Sequence, residues 1–123
     1  MNKVEFREYI SSSGRLFLAG KSAKNNEDLV KQVEKFETVL HTKKPGSPFV
    51  NIKGKERVLK KDIIDAAIFC AKHSQDWRDN QSNVEVHVFK GSNVFKKKGM
   101  KVGTFGVKKF DLVKVKKSDL LKL

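Results

Sequence analysis

Six lysines fall within eighteen residues of the C-terminal third, in NVFKKKGMKVGTFGVKKF, and no acid interrupts them. Ammonium groups at that density neutralise phosphate charge without reading bases. Gly99 and Gly103 bracket Met100, Lys101 and Val102, so the backbone can turn tightly and bring its amides near a ligand. Lys96, Lys97, Lys98, Gly99, Lys101, Gly103, Lys108 and Lys109 are therefore candidate contacts to a phosphate backbone. Phe105 and Phe110 sit in the same segment, where they either stack on unpaired bases or fill a core. The competing reading is a solvated hairpin tip whose lysines blunt a sheet edge.

The remaining reactive residues do not assemble into a catalytic set. His41, in VLHTKKPGSP, runs into a basic turn with Lys43 and Lys44, and either contacts phosphate or serves as a structural imidazole. His73 falls near a helix C-terminus, where the helix dipole accounts for it. With His87 added, the three histidines show no metal-ligand spacing. The lone cysteine, Cys70, excludes an internal disulfide and reads as a core thiol. Ser11, Ser12 and Ser13 lie in a turn without a nearby histidine. Neither GxSxG, GxGxxG nor a P-loop occurs. Asp62, Asp65 and Asp76 read as helix-surface acids. No catalytic residue, cofactor or metal is expected.

Composition points the same way. In 123 residues, 27 Lys and Arg face 14 Asp and Glu, a formal charge of +13. Self-repulsion of that size weakens a compact fold and implies a polyanionic partner: nucleic acid first, an anionic membrane surface second. No apolar run approaches the roughly 20 residues of a membrane span, so membrane insertion is not expected. MNKVEFREYI lacks the apolar run of a signal peptide, and a cytoplasmic protein is the simplest reading.

These groups must be held by an α+β scaffold. VEFREYI and RLFLAG, separated by SSSG, predict a hairpin over Val4–Ile10 and Arg15–Ala19. The period then changes: Ala23, Asn26, Val30 and Val33 share one helical face, with Ser22 as N-cap and Glu27 and Asp28 in the early turns. Asn26 would turn its amide inward, tying the helix to a strand or reaching a ligand at the helix start. Strands follow in FETVLHT and PFVNIK, joined by a Pro-Gly turn. A long helix is predicted from Lys60 to Trp77, its inward stripe running from Ile63 through Ala66, Ala67, Cys70, Ala71 and Ser74. VEVHVF alternates strictly, valines on one face and Glu85, His87 and Phe89 on the other. VGTFGV and FDLVKV are the last strand candidates, and KKSDLLKL is a short or frayed tail. The expectation is one domain, a mixed or antiparallel sheet of about five to seven strands with two main helices, in the order ββ-α-ββ-α-ββ(β), with helices covering one face.

The ordered set of landmarks resembles the NFACT-R domain of NFACT proteins. FREYISSSGRLFLAGKSAKNNE is similar to the family's opening hairpin and following Asn-Glu block, and VLHTKKPGSPFVNIK to its strand, His turn and Ser-Pro strand. IIDAAIFCAKHSQDW resembles its Ala-Ala helix, and KKKGMKVGTFGV its basic glycine block. The resemblance runs over 4–110, leaving 111–123 as a last strand and short basic tail. It implies an RNA-binding module of ribosome-associated quality control, in which NFACT proteins bind stalled large ribosomal subunits carrying peptidyl-tRNA. Lys21, Lys24, Asn26, His41, Ser47, Lys96, Lys98, Gly99 and Gly103 match the family's blocks. Lys21 stands where arginine is common, keeping the charge but losing the planar fork. The family's NFACT-N region, helix-hairpin-helix segment and coiled coil have no counterpart in these residues, so tail synthesis is not carried over. Nor is the fibronectin binding ascribed to full-length relatives. The expected partner is tRNA or ribosomal RNA, with the large subunit as its setting. A protein adaptor that presents its basic face to an acidic partner is the alternative.

Overall fold

A computed structural model describes residues 5–122. The chain runs β1 (Arg7–Ile10), β2 (Leu16–Ala19), α1 (Ala23–Gln32), β3 (Thr38–Thr42), β4 (Val50–Ile52), α2 (Lys60–Lys72), α3 (Gln75–Asn80), β5 (Val84–Lys90), β6 (Val94–Phe95), β7 (Gly106–Val107), β8 (Asp111–Val115) and α4 (Lys117–Leu121). Six strands form one sheet in the order β1-β2-β4-β3-β5-β8, every pairing antiparallel, and β6 and β7 form a separate two-stranded ribbon. The α+β class and the strand count agree with the sequence pattern. Val4, the expected start of the first strand, lies outside the described residues.

Period-2 alternation sorts the apolar side chains onto two faces. Phe17, Ala19, Leu40, Val50, Ile52, Val84, Val86 and Val88 pack against Ala66, Ala67, Cys70 and Ala71 of α2 in the larger core. Leu18, Val39 and Phe89, from the opposite face, meet Leu29 of α1 and the flanking Phe49 in a smaller one. Helices thus cover both faces rather than one. The connections explain this: α1 links β2 to β3 on one side of the sheet, and α2 links β4 to β5 on the other.

The expected helix from Lys60 to Trp77 is two helices. Ser74 Oγ donates to the Ala71 carbonyl at 2.6 Å and accepts the Trp77 N–H at 3.2 Å, closing α2 and capping α3. The inward stripe survives the break because Trp77 still reaches the larger core. Two of the acids read as surface groups are buried. Asp62 accepts the Leu59 N–H at 3.1 Å, and Asp76 accepts from Asn80 at 2.7 Å.

The C-terminal segment completes the same body. β8 pairs along β5 from Val84↔Val115 to Val88↔Asp111, and Leu120 of α4 is fully buried in the larger core, a gain of roughly 2 kcal/mol. No helix among the described residues is long and apolar enough to cross a membrane.

Candidate nucleic-acid interface

On the α1 face, β3 and β5 are neighbours, and their register sets His41 opposite His87. The β3–β4 turn rises beside them. Thr42 N–H donates to Ser47 Oγ at 3.0 Å, Thr42 Oγ1 donates to the Lys44 carbonyl at 2.6 Å, and Gly46 takes φ +92°. The Gln75 N–H of α3 donates to the Gly46 carbonyl at 2.9 Å, so the helix break anchors this turn. From the other side comes the start of α1, where Ser22 Oγ accepts the Asn25 N–H at 3.1 Å. Asn26 is buried, and its Oδ1 accepts the Phe49 N–H at 3.1 Å. Of the two roles open to Asn26, tying the helix to the strand region is the one this geometry displays.

The β6–β7 loop closes the arrangement. Lys96 Nζ donates to Glu27 Oε1 at 2.6 Å and to the carbonyls of Lys101 and Thr104 at 2.5 and 2.7 Å, and it lies 4.7 Å above the Phe105 ring. Glu27 Oε1 also accepts the Gly103 N–H at 2.8 Å, which holds the Glu27 carboxyl below its ordinary range, the Lys96 bond being the larger cause. Gly103, at φ +82°, lies so close to α1 that a Cβ would fall 2.8 Å from the Ala23 Cα. The loop is thereby clamped to the first turns of α1.

Between these three parts lies a cleft of about 750 Å³. Arg7, Lys21, Lys43 and Arg78 line it together with all three histidines, and no carboxylate does. Phe49, Phe89, Phe105 and Phe110 supply apolar wall. Burial lowers each imidazole's proton affinity. For His73 and His87 nearby cations lower it further: Arg7, Lys72 and Arg78 for the first, Lys43 for the second. His73, read from sequence as a dipole-stabilised cation, is therefore held toward its neutral form. His41 Nδ1 lies 2.7 Å from the Thr42 carbonyl, which can only accept, so the ring proton sits on Nδ1. Cys70 is buried, and its thiol is pushed up to about 12 by burial, so it stays protonated and unreactive. Among the described residues no group of three or more His, Cys, Asp or Glu could hold a metal ion.

Of the residues singled out by sequence, Lys21, Asn26, His41, Lys43, Ser47 and Gly103 meet in this cleft. Lys43 also reaches Glu85 at 3.4 Å, Lys44 pairs with buried Asp76 at 3.6 Å, and Lys24 with Asp28 at 3.4 Å. Lys97, Lys98 and Lys101 are exposed on the loop, and Gly99 turns at its open tip with φ +95°. Lys108 and Lys109 line a second cleft of about 880 Å³ with Lys55, Arg57 and Lys90, beside Glu56 and Asp111. Sequence reasoning missed Arg7, Arg78, His73 and Phe49 as cleft residues. The alternation of β5, which set His87 apart from the valines, was the one local signal for that wall.

Comparison with curated proteins gives no match. Among solved structures the chain is similar to the C-terminal part of the fibronectin/fibrinogen-binding protein from Streptococcus suis, with a TM-score of 0.84 at 20% identity, covering 100% of this chain and 50% of that one. At that identity the likeness shows the fold alone, and this chain spans half the length of that structure. The family model of the NFACT protein RNA binding domain matches residues 5–109. That stretch carries five of the six strands of the main sheet and all of the cleft lining except Phe110, and the chain belongs to the NFACT RNA-binding domain family.

Proposed function

We propose that this RNA-binding module grips tRNA or ribosomal RNA through the cleft between the β3–β4 turn, the start of α1 and the β6–β7 loop, and that it works in ribosome-associated quality control in the cytoplasm. The observation that carries this reading is the cleft lining: four permanent cations and three imidazoles with no carboxylate among them. Such a wall attracts a phosphate backbone and repels no part of it. Lys21 and Lys43 contact phosphate from the cleft, and Lys24, Lys44, Lys97, Lys98, Lys101, Lys108 and Lys109 extend the field around it. Asn26, Ser47, Gly99 and Gly103 shape the surface. Lys96 acts through the loop that it holds in place. His41, with its Nδ1 proton committed to the Thr42 carbonyl, keeps Nε2 as an acceptor for a ribose hydroxyl. The family description, an RNA binding domain, supports a role in binding without turnover.

Neutralising about four to six phosphates makes affinity for total tRNA fall by about two to three orders of magnitude between 50 and 200 mM salt. Filter binding across that range measures it, and a flat salt response would overturn the reading. Lys21→Glu with Lys43→Glu should abolish retention while the thermal melt stays cooperative. Sedimentation of the protein with ribosomal subunits, with and without nuclease, tests the ribosomal setting.

A further inference from the structure

Phe110 stands between the two cationic clefts and lines both of them. Half of its surface is exposed. His87, on the β5 face opposite the core valines, stacks against it at 3.9 Å between ring centroids and 22° between planes. Its partner in the sequence, Phe105, has a different fate. It meets Phe49 edge-on at 5.4 Å and lies under the Lys96 ammonium, packed on the smaller core. Of the two rings first read as base-stacking candidates, only Phe110 offers an open face.

The surroundings argue for the occupant. A single strand carries phosphates at regular spacing with bases free to splay out, and its binding sites pair a cationic track with aromatic platforms. Here Arg7, Lys21 and Lys43 line the first cleft, and Lys90, Lys108 and Lys109, with Lys55 and Arg57, outnumber Glu56 and Asp111 in the second. A paired helix keeps its bases stacked on one another and leaves none for a protein ring.

We propose that Phe110, backed by His87, is a stacking platform for one unpaired nucleotide of a single-stranded RNA segment that passes from the first cleft to the second. This rests on the RNA-binding reading above and adds the class of RNA element and the residue that selects it. The imidazole fixes the ring's tilt and covers one face, which leaves the other flat and pre-oriented, so little side-chain freedom is lost on binding.

The test uses the whole chain and two probes: a ten-nucleotide single strand carrying 2-aminopurine at successive positions, and a duplex of the same length. The single strand should bind more tightly, with fluorescence quenched at one position. Phe110→Ala should weaken single-strand binding by about five- to 150-fold, abolish the quenching and leave duplex binding and the salt slope unchanged. Phe110→Trp should retain both binding and quenching. Should the alanine variant melt early, Phe110→Leu, which keeps the bulk and loses the ring, decides instead and should behave as the alanine variant is expected to. If the ring-less variants bind the single strand as wild type does while the salt slope persists, the platform is refuted and the RNA-binding reading stands. If wild type binds neither probe even at low salt, both fall together.

Discussion

Lys96 shows how far residue type alone can mislead. Its place in a run of three lysines reads as a phosphate contact, yet its ammonium is bound by Glu27, two carbonyls and the Phe105 ring. Glu27 lies 69 residues away in sequence, so no local pattern could announce the pair. Lys97 and Lys98, its neighbours, keep exposed side chains. Lys96→Met should therefore lower stability by about 1 kcal/mol, because its bonds are several but partly screened by water. Lys98→Gln should leave stability within about 0.5 kcal/mol. Urea unfolding of the two variants reads the difference, and equal midpoints would refute the strut. Asn26 is the contrary case. An amide on the inward face had to find partners, and that requirement was legible before any fold was known.

At the scale of elements, strict alternation and helical stripes identified most of the sheet and both long helices, because each reports local burial on one face. They failed where burial continues across a break. Cys70, Ala71 and Trp77 all point inward, so the stripe gives no sign that the axis changes at Ser74. Both hydrogen bonds of the Ser74 hydroxyl end in the joint between α2 and α3. Ser74→Ala should cost about 1 kcal/mol, the usual loss for a capping hydroxyl. Because Gln75 N–H holds the Gly46 carbonyl, the same substitution should also loosen the β3–β4 turn. Amide exchange is expected to speed up at Thr42 and Lys43 more than in β5, and uniform protection across the sheet would contradict the link.

For the whole molecule, the net charge of +13 told that a polyanion is the partner but not where it sits. Arg7, Lys21, Lys43 and Arg78 come from four separate elements or turns, and only the strand order brings them to one cleft. The histidines add a pH dependence to that surface. Burial holds all three below the ordinary 6.5, and neighbouring cations add to the effect at His73 and His87. The unfolded chain therefore binds more protons than the folded one just below pH 6.5, and stability falls as pH drops through that window. Bound phosphate favours the protonated imidazoles, so affinity for tRNA should rise over the same interval. Urea midpoints and filter binding at pH 7.5 and 5.5 measure the two trends. Parallel rather than opposite changes would place the histidines outside the binding surface. Glu27, Glu37 and Asp62, all held below their ordinary values, titrate at lower pH and do not confound the comparison.

The division of the sheet into two unequal faces has a consequence for how such a chain can change over generations. The face under α2 carries the larger core, whereas the cleft proposed to hold RNA rests on the lesser cluster and on side chains that reach solvent. Exchanges at exposed cleft positions such as Lys21 and Lys43 leave both cores in place, so a lineage can retune its ligand preference there step by step without passing through unfolded ancestors.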